Sequence, residues 1–212
     1  MSATIIDVFD SNFQTGLATF AASFPLRDGF YDVGNYHIPT LTNSGPVPFT
    51  IIGGFQCVGD FTAGIIYDAG GVGSLIGYLA FKSNWSTEGY FYCNTLTSNP
   101  VIISWTSFGV AENGLQILSD GTVRVFHGGD VISTGAGVVS IGAWNKIEYI
   151  VTNGVNGNIY INGVLQGSGT SGIASQLACA NFIVGRYALG GNNLDGYARN
   201  VKVKIPSLPA LP

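Results

Sequence analysis

Charge is scarce in this sequence. Asp, Glu, Lys and Arg make up only 9% of its 212 residues, against about 25% in an ordinary globular protein. The solvent-facing surface must then be built largely from Ser, Thr, Asn and Gly, or be covered in part by neighbouring chains, which weak self-repulsion permits. The 8 bases and 12 acids leave a net charge of −4. Five of the bases (Lys146, Arg186, Arg199, Lys202 and Lys204) come late in the chain but lie scattered. No basic cluster is interleaved with aromatics, which argues against a nucleic-acid partner.

Cysteine and histidine are nearly absent too. The three cysteines, Cys57, Cys93 and Cys179, show no Cys-x-x-Cys spacing, which argues against a disulfide framework and a zinc site alike. Cys57 and Cys93 sit in apolar runs and read as buried free thiols. The two histidines are His37, a loop packing residue, and His127, a solvent-facing residue at a strand end. No Gly-x-Ser-x-Gly elbow accompanies them, so no nucleophilic triad emerges. No run of 18 apolar residues occurs, which leaves no membrane-spanning helix. Residues 1–20 lack the basic and apolar regions of a signal peptide, which points to synthesis in a cytosol.

Helical periodicity is missing as well; Gly16–Phe24, before Pro25, has room for one short helical turn. What is present is period-two alternation. It predicts strands near Thr4–Phe9, Phe49–Val58, Thr62–Tyr67, Leu75–Lys82, Gly89–Cys93 and Val101–Thr106. Further strands are expected near Leu115–Leu118, Thr122–Phe126, Asn145–Val151, Asn158–Ile161, Asn181–Arg186 and Gly196–Lys204. Between them stand Asn-Gly and Asp-Gly pairs, which accept the positive φ of a tight hairpin. They occur at Asp28, Asn113, Asp120, Asn153, Asn156, Asn162 and Asp195. Asp120–Gly121 and Asn162–Gly163 lie between well-patterned strands and are the firmest turns. Ile147, Tyr149 and Val151 share one strand face with Lys146 and Glu148 on the other, and Ile159 and Ile161 share a face in the next strand.

The fold class is therefore all-β, an antiparallel two-sheet β-sandwich in a single domain. Residues 1–48 form an N-terminal strand and a long ordered loop or arm anchored by Phe24, Phe30, Tyr31 and Tyr36. Residues 49–204 form the sandwich, and residues 205–212 an extended, proline-spaced tail.

The run from Trp144 to Leu165, W-N-K-I-E-Y-I-V-T-N-G-V-N-G-N-I-Y-I-N-G-V-L, opens a strand with Trp144 and closes with Ile159, Tyr160, Ile161, Asn162 and Gly163. It resembles the laminin G-like and pentraxin-like members of the concanavalin A-like lectin and glucanase sandwiches. The segments Phe182–Arg186 and Leu194–Val203 resemble the later strands of that group, and Phe55 stands where it often has a core Trp. The resemblance implies a jelly roll, and a lectin, receptor, enzyme or virus-particle role.

Glycoside hydrolysis needs two carboxylates about 5–9.5 Å apart; the related glucanases carry Glu-x-Asp-x-x-Glu on one strand. The only glutamates are Glu88, Glu112 and Glu148, and none has a second acid within five residues. No enzyme is expected. No cofactor is expected either, although Asp130, Asp195, Asn192 and Asn193 offer oxygens for a structural calcium at loop ends. Glycan contact would fall to Trp85, Tyr187, Asn192 and Asn193, with Trp85 in an exposed loop; the alternative for Trp85 is a loop anchor. Trp105 and Trp144 read as core.

The absence of catalytic motifs, the low charge and the arm-like ends favour a non-enzymatic virion protein. It would be a capsid-decorating, tail or fibre-associated subunit of a bacteriophage. It would assemble with other virion proteins as a homo-oligomer and contact host-surface glycans. The alternative is a carbohydrate-binding lectin-like module.

Overall fold

The computed structural model describes residues 20–24, 49–59, 61, 67–68, 85–107, 110–127, 130–152, 156–170, 179–187 and 191–204. Fourteen strands run through them. The first seven are β1 (Phe20–Phe24), β2 (Phe49–Ile52), β3 (Phe55–Gly59), β4 (Tyr67–Asp68), β5 (Trp85–Cys93), β6 (Val101–Ser107) and β7 (Val110–Ile117). The rest are β8 (Val123–His127), β9 (Asp130–Ser133), β10 (Trp144–Thr152), β11 (Asn156–Ile161), β12 (Val164–Thr170), β13 (Cys179–Val184) and β14 (Gly196–Lys204). No α-helix occurs among the described residues.

All pairings are antiparallel and form two sheets. The large sheet has the order β12-β11-β10-β5-β14-β3-β2, and the small one β4-β13-β6-β7-β8-β9. β14 pairs with β5 along one edge. Its other edge is shared, by β3 at Tyr197 and Ala198 and by β1 from Val201 to Lys204.

The pleat sorts side chains as the alternation predicts. In β10, Ile147, Tyr149 and Val151 are buried, whereas Lys146, Glu148 and Ile150 are half-buried on the opposite face. Ile159 and Ile161 of β11 join them through the pairs Tyr149–Ile159 and Ile147–Ile161. The small sheet answers with Ile103, Leu115, Ile117, Val123, Val125 and Ile132, all buried. Glycines let the sheets approach. A Cβ on Gly157 would stand 2.5 Å from Ile132 Cδ1 and 2.7 Å from the Tyr149 hydroxyl, closer than packed atoms tolerate. The firm turns hold: Asn162 and Gly163 both have positive φ, 52° and 82°, and Gly121 has φ 80°.

Several expectations change. The single strand Phe49–Val58 is a β2–β3 hairpin, broken at Gly53 and Gly54, whose φ values are 59° and 82°. Asn113–Gly114 is no turn but lies inside β7. Gly114 is needed there because a Cβ would meet the Ile103 carbonyl oxygen at 2.6 Å. Asn156–Gly157 likewise belongs to a strand. Phe20–Phe24 is a strand and not a helical turn; its pairing with β14 outweighs local preference. β9 was not foreseen, and β12, expected as the partner strand of the Asn162–Gly163 hairpin, runs on to Thr170. Trp144 is half-buried on the outer face, with its indole Nε1 donating to the Ile52 carbonyl at 3.2 Å. Phe55 is 45% exposed and so does not fill the core position. The strands expected near Thr4–Phe9 and Leu75–Lys82, the Pro25–Pro48 loop, His37 and the tail lie outside the described residues.

Ile161→Asp puts an unpartnered carboxylate between the sheets in place of a side chain whose burial is worth about 1.5–3 kcal/mol. The expected outcome is loss of the cooperative thermal transition followed by circular dichroism. A variant that melts like the parent would show that this face is not the core.

Candidate functional site

One end of the sandwich carries a cleft of about 300 Å³ between two loops. The β5–β6 loop contributes Thr95, Thr97 and Ser98, and the β13–β14 loop contributes Gly191, Asn192, Asn193 and Asp195. The lining is hydroxyl, amide, glycine backbone and a single carboxylate, so hydrogen bonding is the chemistry on offer.

The strands bring the loops together. β5 and β14 pair up to Cys93–Gly196, and one residue further the Asn94 N–H donates to the Asp195 carbonyl at 2.8 Å. On the opposite side of the cleft the Val101 N–H donates to the Asn192 carbonyl at 2.8 Å. The Leu194 N–H donates to the Gly185 carbonyl at 2.8 Å. Asn99 and Asn192 adopt left-handed backbone with φ 48° and 50°, a region that Asn enters more readily than most residues.

Side chains brace this frame. Asp195 accepts from Asn94 Nδ2 at 3.0 Å and from the Thr95 hydroxyl at 3.1 Å. The Ser98 hydroxyl donates to the Asn193 carbonyl at 3.0 Å. The Asn99 carbonyl accepts from Asn192 Nδ2 at 3.1 Å and from Gln116 Nε2 at 2.7 Å. Gln116 Oε1 in turn accepts from Arg124 Nε at 2.6 Å. A chain of hydrogen bonds thus ties the cleft to the small sheet, so its polar groups are held before any ligand arrives.

Of the glycan candidates, Asn192 and Asn193 line the cleft. Tyr187 does not. Its ring lies 5.3 Å from that of Phe126 on the outer side of the small sheet. Trp85 is not in a loop: it is the first residue of β5, in register with Val151, and its side chain lies outside the described residues. The proposed calcium ligands do not assemble as a set of four. Asp195, Asn192 and Asn193 meet, but Asp130 opens β9 opposite His127, at the other end of the small sheet from Val101. Among the described residues no three Cys, His, Asp or Glu side chains gather as a metal site.

Thr95, Thr97, Ser98 and Gly191 were missed. Their only sequence signal is position, immediately after a strand ending in Cys93 and before Asn192. Sequence spacing also missed a carboxylate pair, because it comes from two strands. Glu88 and Glu148 stand in direct register, and Lys146 Nζ lies 3.0 Å from Glu88 and 3.6 Å from Glu148. Burial works to lower the Lys146 pKa, but Glu88, then Glu148 and Tyr90, outweigh it and hold the ammonium above its ordinary value. A lysine clamped between the two acids fits an ion cluster that relieves cross-strand repulsion.

A second cluster lies on the outer face of the large sheet. Trp144 meets Tyr92 and Phe55 edge-on, at 5.7 and 6.4 Å, and Tyr92 meets Tyr197 at 6.0 Å. The Arg199 guanidinium sits 3.9 Å from the Phe55 centroid, 4.3 Å from Tyr90 and 4.9 Å from Trp144, a cation–π seat.

No protein-family model and no curated sequence matches the chain. Solved structures do. Domain 4 of AbnA, a GH43 extracellular arabinanase from Geobacillus stearothermophilus, in complex with arabinotriose, superposes with TM-score 0.68. The identity is 14%, over 91% of this chain and 95% of that one. The chain is a jelly-roll β-sandwich. The binding domain of botulinum neurotoxin DC in complex with rat synaptotagmin II gives TM-score 0.66 at 15% identity. The match covers 91% of this chain but 49% of that one, so the chain spans about half its length. The CBM40 of the Ruminococcus gnavus IT-sialidase, bound to α2,3-sialyllactose, gives 0.50 at 13% identity, covering 60% and 78%. At such identities the likeness is one of fold.

Cys57 and Cys93 are buried free thiols. Burial, then the nearby Asp195 charge, pushes the Cys93 pKa from 9.0 up to about 12; burial also raises that of Cys57. A group whose pKa is raised by folding stabilises fully below its unfolded value, and that stability is lost as pH climbs through the folded one. Lys146 acts in the same direction above 10.5. Denaturant midpoints are therefore expected to hold up to pH 9 and fall steadily between pH 9 and 12. Neither thiol should react with Ellman's reagent at pH 8 until the chain unfolds. A midpoint unchanged to pH 11 would contradict this account.

Proposed function

We propose that this protein is a carbohydrate-binding module that acts by recognition and not by turnover, with the end cleft as its glycan site. The observation that carries the reading is the cleft itself. Two loops present Thr, Ser, Asn and Asp groups, braced by hydrogen bonds, to one small volume. Sugars are dense in hydroxyls, and a site made of neutral donors and acceptors with one carboxylate matches them. The sandwiches of similar fold add support, since their own ligands include arabinotriose and α2,3-sialyllactose. Within the jelly rolls we place the chain nearest the laminin G-like group, on the Trp144 to Leu165 run.

A glycan array that includes arabinotriose and α2,3-sialyllactose tests the proposal. Binding is expected, and it should weaken in Asp195→Asn and Asn193→Ala. Asn193→Ala removes a side-chain amide and Asp195→Asn turns an acceptor oxygen into a donor, each worth about 0.5–1.5 kcal/mol, roughly two- to tenfold in affinity. Binding unaffected by either variant would move the site elsewhere, and no binding to any glycan would reject the function.

A virion adhesion subunit is a second reading, compatible with glycan contact. It rests on the exposed Val164 and Leu165 at the β11–β12 hairpin, an apolar tip suited to packing against other subunits. Sedimentation of native source material with mass spectrometry is expected to find the chain at a fixed ratio in particles; recovery solely in the light fraction would refute this location.

A further inference from the structure

We infer that the ligand is an extended oligosaccharide, and that its track runs from the cleft onto the aromatic outer face of the large sheet. This rests on the glycan reading and adds to it the length and direction of the bound chain.

The register makes cleft and face continuous. Side chains two apart on a strand share a face. The Asn94 N–H to Asp195 carbonyl bond carries the β5–β14 ladder one residue past Cys93–Gly196, so Asn94 and Asp195, at the cleft, follow Tyr92 and Tyr197 on the same side. Tyr92 and Tyr197 are direct partners across β5 and β14, and Trp144 is the partner of Tyr92 from β10. A row of three aromatic side chains thus begins two residues from the cleft, about 7 Å along the strands. The next row places Arg199 and Lys146 on either side of Tyr90.

A solvent-facing position on a central strand ordinarily carries a polar residue. Here it carries half-buried aromatics, held by mutual edge-on contacts and, for Trp144, by Arg199 and the Ile52 carbonyl. Such rings accept the apolar face of a sugar, while tyrosine hydroxyls meet its polar rim. Exposed apolar side chains flank the row. Phe55 is 45% exposed beside Trp144. Ile141, 57% exposed, sits in the loop whose Gly142 N–H donates to the Cys93 carbonyl at 2.9 Å. The Asn145 amide holds that loop through the Ser140 and Ala143 carbonyls, at 2.9 and 3.0 Å. A polar cleft at one end and an aromatic row leading away from it suit a linear chain of sugars better than a single residue.

The test is a titration of the full chain with sugars of one to six residues, beginning with arabinose and arabinotriose and extending to the series the array selects. Affinity is expected to rise at least about tenfold from the monosaccharide to the tetrasaccharide. Tyr197→Ala should abolish that rise and leave monosaccharide binding intact, whereas Asp195→Asn should weaken every length. The wild-type length series stands even if a variant fails to fold. Affinity independent of length would overturn this inference while sparing the cleft. A Tyr197→Ala variant of native stability that keeps the full rise would also overturn it, as would one that changes only the oligomeric state, which would make the face a contact between copies. Binding at no length would overturn the glycan reading itself.

Discussion

The antiparallel ladder between β5 and β14 is the constraint on which the rest of the molecule depends. Its register turns Gly89, Phe91 and Cys93 toward the opposite sheet and leaves Tyr90, Tyr92, Arg199 and Tyr197 outside. It also sets where the two strands end, and so which loops meet. At that end Gly196 crosses against the Tyr92 carbonyl so closely that a Cβ would overlap it. A slip of one residue would exchange the two faces, turn Cys93 outward and separate Asp195 from Thr95.

Scarcity of charge shapes the cleft. With few ions to place, its loops are ordered by neutral hydrogen bonds and by asparagines in left-handed backbone, and its one carboxylate is engaged by Asn94 and Thr95. Such a frame loses little freedom when a ligand binds, because the side chains are already held. The acids that do stand together, Glu88 and Glu148, share Lys146 on the outer face of the large sheet.

The elements best read from sequence were those whose signal is local. The Asn162–Gly163 and Asp120–Gly121 turns needed positive φ and had residues that supply it. The inward set Ile147, Tyr149, Val151, Ile159 and Ile161 followed from period-two alternation. Expectations failed where a distant strand decided the matter. Asn113–Gly114 resembles a turn but is strand because Ile103 approaches it. Phe20–Phe24 is strand because β14 offers an open edge. For Trp144 the reason was local: two-residue alternation sets it with Lys146 and Glu148 on the outer face, opposite Ile147.

By itself the sequence determined the all-β class, the buried thiols and much of the core, since side-chain period and turn chemistry are properties of neighbouring residues. Asn192 and Asn193 were also legible, as polar residues in a glycine-rich loop. Only the tertiary structure decided which groups join them. Thr95 and Asp195 are separated by about half the chain and meet because β5 and β14 pair. The pairing of Glu88 with Glu148, and the alignment of Trp144, Tyr92 and Tyr197 into one row, arise in the same way. Strand order and register are long-range quantities, set by the burial of the whole sandwich and by no single stretch of residues.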